Sequence, residues 1–469
     1  MLSKKSFGWL SALLILALLL VACGGAAEEP AAPAEEEAPA EEEQMAEEEP
    51  VAEEEPMGET GPGTYLERAL AGEFAGSAVT IMGVWPEEEA EAFREAFAPF
   101  VEGTGINVTF EGSADFETLI IVRTEAGDPP DIAIFPQPGL MADFSRQDIL
   151  VDHQQIFDPT VLAEDYGETW TELATVDGKL AGIPYRVQTK SLVFFDVAKF
   201  EEFGYEPPQS WDEMLALMDT MVANGHTPWC IPLESSGATG WVATDWVEEI
   251  VLRTAGPEVY DQWVAHEVNF SDPPIKSAVQ EMGEIWLNPD YVLGGTTGIL
   301  TTWIGDVDAL FAPPETGCFM HRQAGWITAF FPEDVDPETE SAFFYFPPID
   351  PAYGSPVLGA GDIASAFNMD PEVRAFMEYL TTPESAESWV KAGGLISPNS
   401  QVPLDWYESE LTRDQAAILQ DASVLRFDAS DLMPGSVGTG TFWTGMVNYI
   451  NGADLDEVLQ TIDESWPAE

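Results

Sequence analysis

Positive charge is what this chain lacks most: 17 Lys and Arg stand against 84 Asp and Glu, for a formal net charge of −67. Binding nucleic acid requires clustered cations to meet the phosphates, so nucleic acid is excluded as a bulk partner. Histidine and cysteine are also scarce. The four His (His153, His226, His266, His321) fall in no spaced metal motif, and the two Cys beyond the apolar start, Cys230 and Cys318, cannot by themselves make a structural zinc site. No Gly-x-Ser-x-Gly elbow and no phosphate loop is present, so those nucleophilic and nucleotide chemistries have no carrier. Carboxylates at glycosidase spacing are unavoidable among 84 acids, so their presence says nothing about hydrolysis. Long apolar runs are missing except for residues 10–22, too short for a comfortable span of about 20 residues.

That short run is informative in context. It follows the basic start MLSKK and ends in LVAC at 20–23. Basic start and short apolar run are the secretory pattern. LVAC resembles the bacterial lipobox, which implies lipidation of Cys23; an ordinary signal with an incidental cysteine is the alternative. Residues 24–63 hold fifteen Glu, no Lys, Arg or Asp, and no aromatic residue. Such a segment buries too little apolar surface to offset the entropy of ordering, and its like charges extend it. The expectation is a signal peptide over 1–22, then a lipidated cysteine and disordered acidic linker over 23–69. The protein would sit in the cell envelope, anchored to the outer face of the cytoplasmic membrane.

The remainder is long enough for two cores. Its opening alternates strand and helix. Residues 77–85 read as a strand, 87–100 as a helix with Ala90, Phe93, Ala96, Phe97 and Phe100 on one face, 106–110 as a strand, 115–124 as a helix and 131–135 as a strand. That grammar predicts an α/β fold with parallel strands covered by helices. It returns at 191–196 (strand), 211–223 (helix capped by Ser210), 240–253 (helix), 317–331 (apolar strand and turn), and in helices near 371–381, 383–392, 441–451 and 455–466. Cys230 and Cys318 permit one pairing, and an exported protein sits where disulfides persist; two free buried thiols are the alternative.

Several segments in this order resemble family 1 of the extracellular solute-binding proteins, the maltose- and α-glucoside-binding receptors of ABC importers. They are GDPPDIA (127–133), GIPY (182–185), KSLVFFD (190–196), QSWDE (209–213), ATGW (238–241), GCFMHRQA (317–324), GAGD (359–362), LTTPESA (380–386) and TFW (441–443). The resemblance implies a periplasmic-binding-protein-like type II fold: two α/β lobes, a hinge and a central ligand cleft. It places lobe one at about 70–187 plus 355–400 and lobe two at about 188–354 plus 401–469. It also implies a small sugar ligand, ABC permease subunits as partners, no cofactor, no metal and no catalysis. The Cys318 segment resembles the α-glucoside branch, which supports a Cys230–Cys318 bond. A monomer is expected.

A sugar offers one apolar face and a rim of hydroxyls, so its site needs aromatic plates and forked polar groups. In open α/β sheets such groups sit where strands end. Trp85 follows the first strand, and stacking on ligand competes with packing on the next helix. Asp115 is a ligand acceptor or an N-cap. Gln137 follows the third strand, as a forked amide or a plain loop residue. Arg186 and Lys190 lie at the proposed crossing, facing ligand or pairing with carboxylates. Trp241 and Asp245 are four apart on a helix and share a face. Trp241 resembles a stacking position of the family, as does Trp443. Arg322 and Gln323 lie in the GCFMHRQA turn, and Asp362 would reach the cleft floor unless GAGD is a turn. Trp170, Trp246, Trp286, Trp389 and Trp406 read as core. Three other functions compete: the same scaffold taking a cationic solute such as a polyamine, motivated by the acidity, a cell-surface glycan hydrolase, and a structural adhesin, which would have no closed cleft.

Overall fold

The computed structural model describes residues 64–467, and no helix among them is long and apolar enough to cross a membrane. The basic start, the LVAC motif with Cys23 and the glutamate-rich segment up to residue 63 lie outside the described residues; the disordered linker expected over 23–69 stops short of 69, because Thr64 caps helix Tyr65–Leu70 and Ala69 is buried in the first core.

Two sheets organise the chain. The first opens as the alternation predicts. β1 (Ala78–Gly83) pairs in parallel with β2 (Asn107–Gly112) and with β3 (Ile132–Phe135). Helix Glu87–Thr104 connects β1 to β2 and buries Ala90, Phe93, Ala96, Phe97 and Phe100, the face its spacing specifies. Gly105 ends it in the left-handed conformation at φ 71°, a geometry that favours glycine. A small hairpin, β4 (Thr175–Val176) with β5 (Lys179–Leu180), precedes β6 (Ile183–Thr189).

The second sheet joins β7 (Leu192–Asp196), β8 (Thr227–Trp229), β9 (Cys318–Arg322) and β10 (Ser341–Tyr345) in the order β10-β7-β9-β8. The chain then returns to the first sheet as β11 (Val357–Ala366), which runs antiparallel to β3 and β6, and closes it with β12 (Leu425–Phe427), parallel to β11. GAGD therefore lies inside a strand. Its glycines suggest a turn, but here they admit a neighbour: a Cβ at Gly361 would sit 2.6 Å from the Arg186 carbonyl of β6. Pro383 opens only a 3-10 turn, with the helix proper at Glu387–Lys391.

Each sheet carries its own core. One gathers apolar side chains from 69–187 and 363–407, the other mainly from 193–358 and 429–462. Three segments run between them: β6 into β7, β10 into β11, and β12 into helix Ala429–Leu432. They lie side by side. The Lys190 N–H donates to the Leu358 carbonyl (2.8 Å), the Leu358 N–H to Ser191 Oγ (2.9 Å), and the Asp428 N–H to the Gly359 carbonyl (2.9 Å). Cys230 and Cys318 form a disulfide, Cα atoms 5.5 Å apart, that ties the end of β8 to β9.

Candidate ligand-binding cleft

Between the two cores lies a cavity of about 190 Å³.

The wall from the first core is polar and anchored on Arg186, in mid-β6. Arg186 Nε donates to Asp362 Oδ2 of β11 (2.7 Å), and its Nη1 bonds Glu89 in the first turn of helix Glu87–Thr104. The guanidinium is buried with both carboxylates and lies over two indoles, 5.1 Å from the Trp85 centroid and 5.3 Å from that of Trp389. Burial disfavours its charge, yet Asp362 and Glu89 hold its pKa above the ordinary value. Glu117, on helix Phe116–Glu125, lines the same cavity, and its Oε1 accepts from Gln137 Nε2 (2.9 Å). Burial pushes the Glu117 carboxyl up to about 7. Glu117 Oε2, Gln137 Oε1 and Trp85 Nε1 are buried without a partner among the described residues. A native interior seldom leaves such atoms unsatisfied, and all three residues line the cavity.

The facing wall is aromatic. Trp241, Trp303, Trp326, Phe330 and Trp443 line it. Trp326 stands 6.2 Å from Trp241 and edge-on to Phe330 at 5.4 Å, and Phe330 likewise meets Trp303 at 5.4 Å. Trp241 opens helix Trp241–Thr254 and Trp443 opens helix Trp443–Ile450. The two starts touch at Gly240, whose φ of 128° and a would-be Cβ 2.4 Å from the Trp443 carbonyl leave room for no other residue.

Behind this wall lies a buried charge cluster. Lys190 Nζ donates to Asp245 Oδ1 (2.8 Å), bonds Asp428, and lies 4.0 Å from Asp431 and 5.1 Å from the Trp241 centroid. Arg322 donates to Asp245 and to Glu249, both at 3.1 Å, and Arg253 also bonds Glu249. Glu248 completes it, its Oε1 accepting from the Ser430 N–H (3.0 Å). Burial opposes charge on Lys190, but Asp245, Asp428 and Asp431 keep its pKa well above the ordinary value. Burial would raise Asp428, yet Lys190 holds it down to about 2. Asp245, Glu248 and Asp428 offer oxygens within 4.8 Å of one another, but the Lys190 ammonium already bonds two of the three. Through Ser430, whose Oγ donates to Asp428 (2.8 Å) and accepts from Trp443 Nε1 (3.3 Å), the cluster also orients an indole of the aromatic wall.

Of the residues singled out from sequence, Trp85, Gln137, Arg186, Lys190, Trp241, Asp362 and Trp443 meet at this cavity. Trp85 borders the cavity, but its ring is fully buried and packs on Phe93, Phe110 and Trp389, as the packing reading expects. Four others do not line it. Asp245 shares a face with Trp241 as its spacing requires, but it is fully buried between Lys190 and Arg322. Arg322 is consumed by Asp245 and Glu249. Gln323 is buried, and its Oε1 accepts from the Ala324 N–H (2.9 Å). Asp115 caps no helix through its side chain. Its Oδ1 accepts from the Gly237 N–H (3.0 Å) and so joins the two cores across the cleft mouth. Sequence reasoning missed Glu89, Glu117, Trp303, Trp326 and Asp431. The one signal on offer was Trp303, an aromatic between two threonines and a glycine-containing turn, where no core face requires it.

Residues 85–387 match the family described as bacterial extracellular solute-binding protein. The chain belongs to the bacterial extracellular solute-binding proteins. It is 49% identical over 390 residues to the osmoprotective compounds-binding protein GgtB of Synechocystis, covering 83% of this chain and 92% of that one. It is 39% identical over 406 residues to the alpha-glucosides-binding periplasmic protein AglE of Rhizobium meliloti, covering 84% and 88%. Among solved structures, a chitin oligosaccharide binding protein superposes with a TM-score of 0.72 at 17% identity, over 83% of this chain and 98% of that chain, and the maltose-bound MalE3 of T. maritima with 0.67 at 15%, over 83% and 98%. At those identities the superpositions show the fold, the type II periplasmic-binding arrangement. Membership makes the chain a binding protein of an ABC importer, not an enzyme, which sets aside the glycan hydrolase reading. Such proteins capture a small ligand outside the cytoplasmic membrane and work with permease subunits.

Proposed function

We propose that this protein captures a small α-glucoside or short oligosaccharide and delivers it to the permease of its ABC importer. The observation that carries this reading is the division of the cleft into an indole wall and an acceptor-rich polar wall. Stacking on Trp241, Trp303, Trp326 and Trp443 would hold the apolar face of a pyranose. Hydroxyls would then meet Glu117, Gln137, Arg186, Asp362 and the Trp85 N–H. The names of the relatives, α-glucosides for one and osmoprotective compounds for the other, point to compact glucosides. We also propose that Cys23 carries a lipid, that the glutamate-rich segment tethers a monomer to the outer face of the cytoplasmic membrane, and that the two sheets belong to separate lobes; the expected boundary at 400 shifts, because Val402 and Tyr407 pack in the first core and β12 pairs in the first sheet, so that 401–427 go with the first lobe. Titration calorimetry with maltose, trehalose, sucrose and longer α-glucans tests the ligand class, and flat traces across that panel reject it. Fatty-acid labelling of wild type and Cys23→Ala tests the anchor, with label expected on the wild type alone.

A further inference from the structure

A third apolar cluster lies apart from the two main cores, on the other face of the second sheet. Along β7, Val193 and Phe195 point to the second core, while Leu192 and Phe194 point to this cluster. Val307, Leu310, Ile327 and Phe331 close it around the Cys230–Cys318 disulfide. Two rings of the aromatic wall, Trp326 and Phe330, pack on this cluster, and Trp303 meets Phe330 edge-on at 5.4 Å.

The two chain segments that carry these rings are joined at three places. Cys230 leads to Glu234, which pairs with the Trp303 segment: the Glu234 N–H donates to the Thr302 carbonyl (2.9 Å) and the Ile304 N–H to the Glu234 carbonyl (3.0 Å). Cys318 opens β9, which leads into the turn Gly325–Phe330. The disulfide therefore links the support of Trp303 to that of Trp326 and Phe330. Just before it, a Cβ at Gly317 would lie 2.4 Å from the Ala309 carbonyl, so backbone meets backbone there. Lys199, on helix Val197–Phe203, makes the third join. Its Nζ donates to the Leu310 carbonyl (2.6 Å) and to the Cys318 carbonyl (3.1 Å), and no carboxylate bonds it among the described residues. In so acidic a chain, a buried ammonium kept for two carbonyls points to position and not to charge pairing.

We propose that this cluster is a platform that positions Trp303, Trp326 and Phe330, with Cys230, Cys318 and Lys199 as its positioning residues, so that ligand affinity depends on side chains that do not line the cleft. A cluster this small buries little apolar surface, and clips of this kind are what hold small cores together. Rings already held in place lose less freedom when a ligand arrives than loose ones do. A slack platform leaves the rings present but misplaced, which lowers affinity while the two main cores stay folded. The inference rests on the reading of these rings as plates for a glucoside.

The test compares the intact lipid-free protein with its Cys230→Ser/Cys318→Ser double variant and with Lys199→Met. Calorimetry with maltose, trehalose and sucrose reads affinity. Fluorine NMR of protein carrying fluorotryptophan reads the rings, with Trp303 and Trp326 assigned from Trp303→Phe and Trp326→Phe. The double variant should bind about fivefold weaker or more, and Lys199→Met about threefold weaker, with Lys199→Arg restoring binding in part. The Trp303 and Trp326 resonances should move or broaden in both, while those of Trp85 and Trp286, buried in the two main cores, stay in place. Affinity within about twofold of wild type in both variants would overturn the platform and leave the glucoside reading standing. So would weaker binding with the Trp303 and Trp326 resonances unmoved, or equal movement at Trp85 and Trp286, since the clips would then serve the fold as a whole. If wild type binds none of the three sugars, the glucoside reading falls, and the fluorine spectra, which need no ligand, decide whether the clips position the rings.

Discussion

The two walls of the cleft treat buried charge differently. In the first, one guanidinium meets two carboxylates, Glu89 and Asp362, with Trp85 and Trp389 beside it. In the second, Lys190, Arg253 and Arg322 meet Asp245, Glu248, Glu249, Asp428 and Asp431 at the point where the crossing segments run together. The first is a compact pairing that shapes a binding surface. The second joins segments distant in sequence, because Lys190 lies between β6 and β7 and Asp428 directly follows β12. Burying an ion pair is nearly neutral in net stability, but removing one partner strands the others in low dielectric. Only Arg186, Lys190, Arg253 and Arg322 are buried against carboxylates among the described residues; most of the other cations sit in exposed pairs.

Removing those cations separates the walls most strongly. Lys190→Met should destabilise the fold by about 3–5 kcal/mol in urea unfolding, since Asp245 and Asp428 lose their shared donor. Arg186→Met should cost less, because only Glu89 and Asp362 are stranded; an equal or greater loss would erase the distinction. The second sheet alone carries the disulfide, which closes 88 residues. Reduction should lower stability by up to about 4 kcal/mol in the chain-entropy picture, read as a fall in the denaturant midpoint. Free thiols in mass spectrometry of the native protein would contradict it.

Titration distinguishes one carboxyl of each wall, Glu117 and Asp428, by sign. Glu117 keeps its proton up to about 7 when folded, against an ordinary 4.5. Between those values the folded protein binds more protons than the unfolded chain, so ionised Glu117 destabilises above the window and the penalty vanishes as pH falls through it. Asp428 runs the other way. Its pKa falls from 3.8 to about 2, so its stabilisation is present above about pH 4 and is lost as pH drops towards 2. Glu117→Gln should therefore gain on the order of 1–3 kcal/mol over wild type at pH 8, and that gain should shrink to nothing by about pH 4.5. A gain that stays constant with pH would mean that Glu117 is not a buried acid.

How far the sequence discloses this arrangement depends on whether the signal is local. β1 to β3 and their helices are legible because alternation and helical spacing are short-range, and Ser210 accepts from the Glu213 N–H as a cap should. β11 is hidden, since glycines that admit close strand pairing look like a turn. In the cleft, Trp85 and Gln137 could be found at strand ends and Trp241 and Trp443 through family segments. Glu117 and Asp431 could not. They are two acids among 84, and their meaning arises only when helix Phe116–Glu125 and helix Ala429–Leu432 are brought to one cavity. Asp245 and Arg322 were misplaced because a spacing that puts a side chain on the right face does not say whether a cation waits behind it.

Smaller effects probe the rims. Trp303 is 40% exposed, so Trp303→Ala should leave the melting temperature nearly unchanged while weakening glucoside binding by about 1–2 kcal/mol. Asp115→Ala removes the bond to the Gly237 N–H and should weaken binding by about 1 kcal/mol, chiefly through faster ligand release in stopped flow, with Asp115→Asn partly restoring it.

The central claim, a neutral glucoside held between indole and carboxylate walls, is tested most directly by titrating the lipid-free protein with maltose, trehalose and sucrose at low and high salt. At least one should bind saturably with an affinity that salt barely changes, as expected for a ligand without charge. Silence from all three, with salt-sensitive binding of a polyamine instead, would contradict the account.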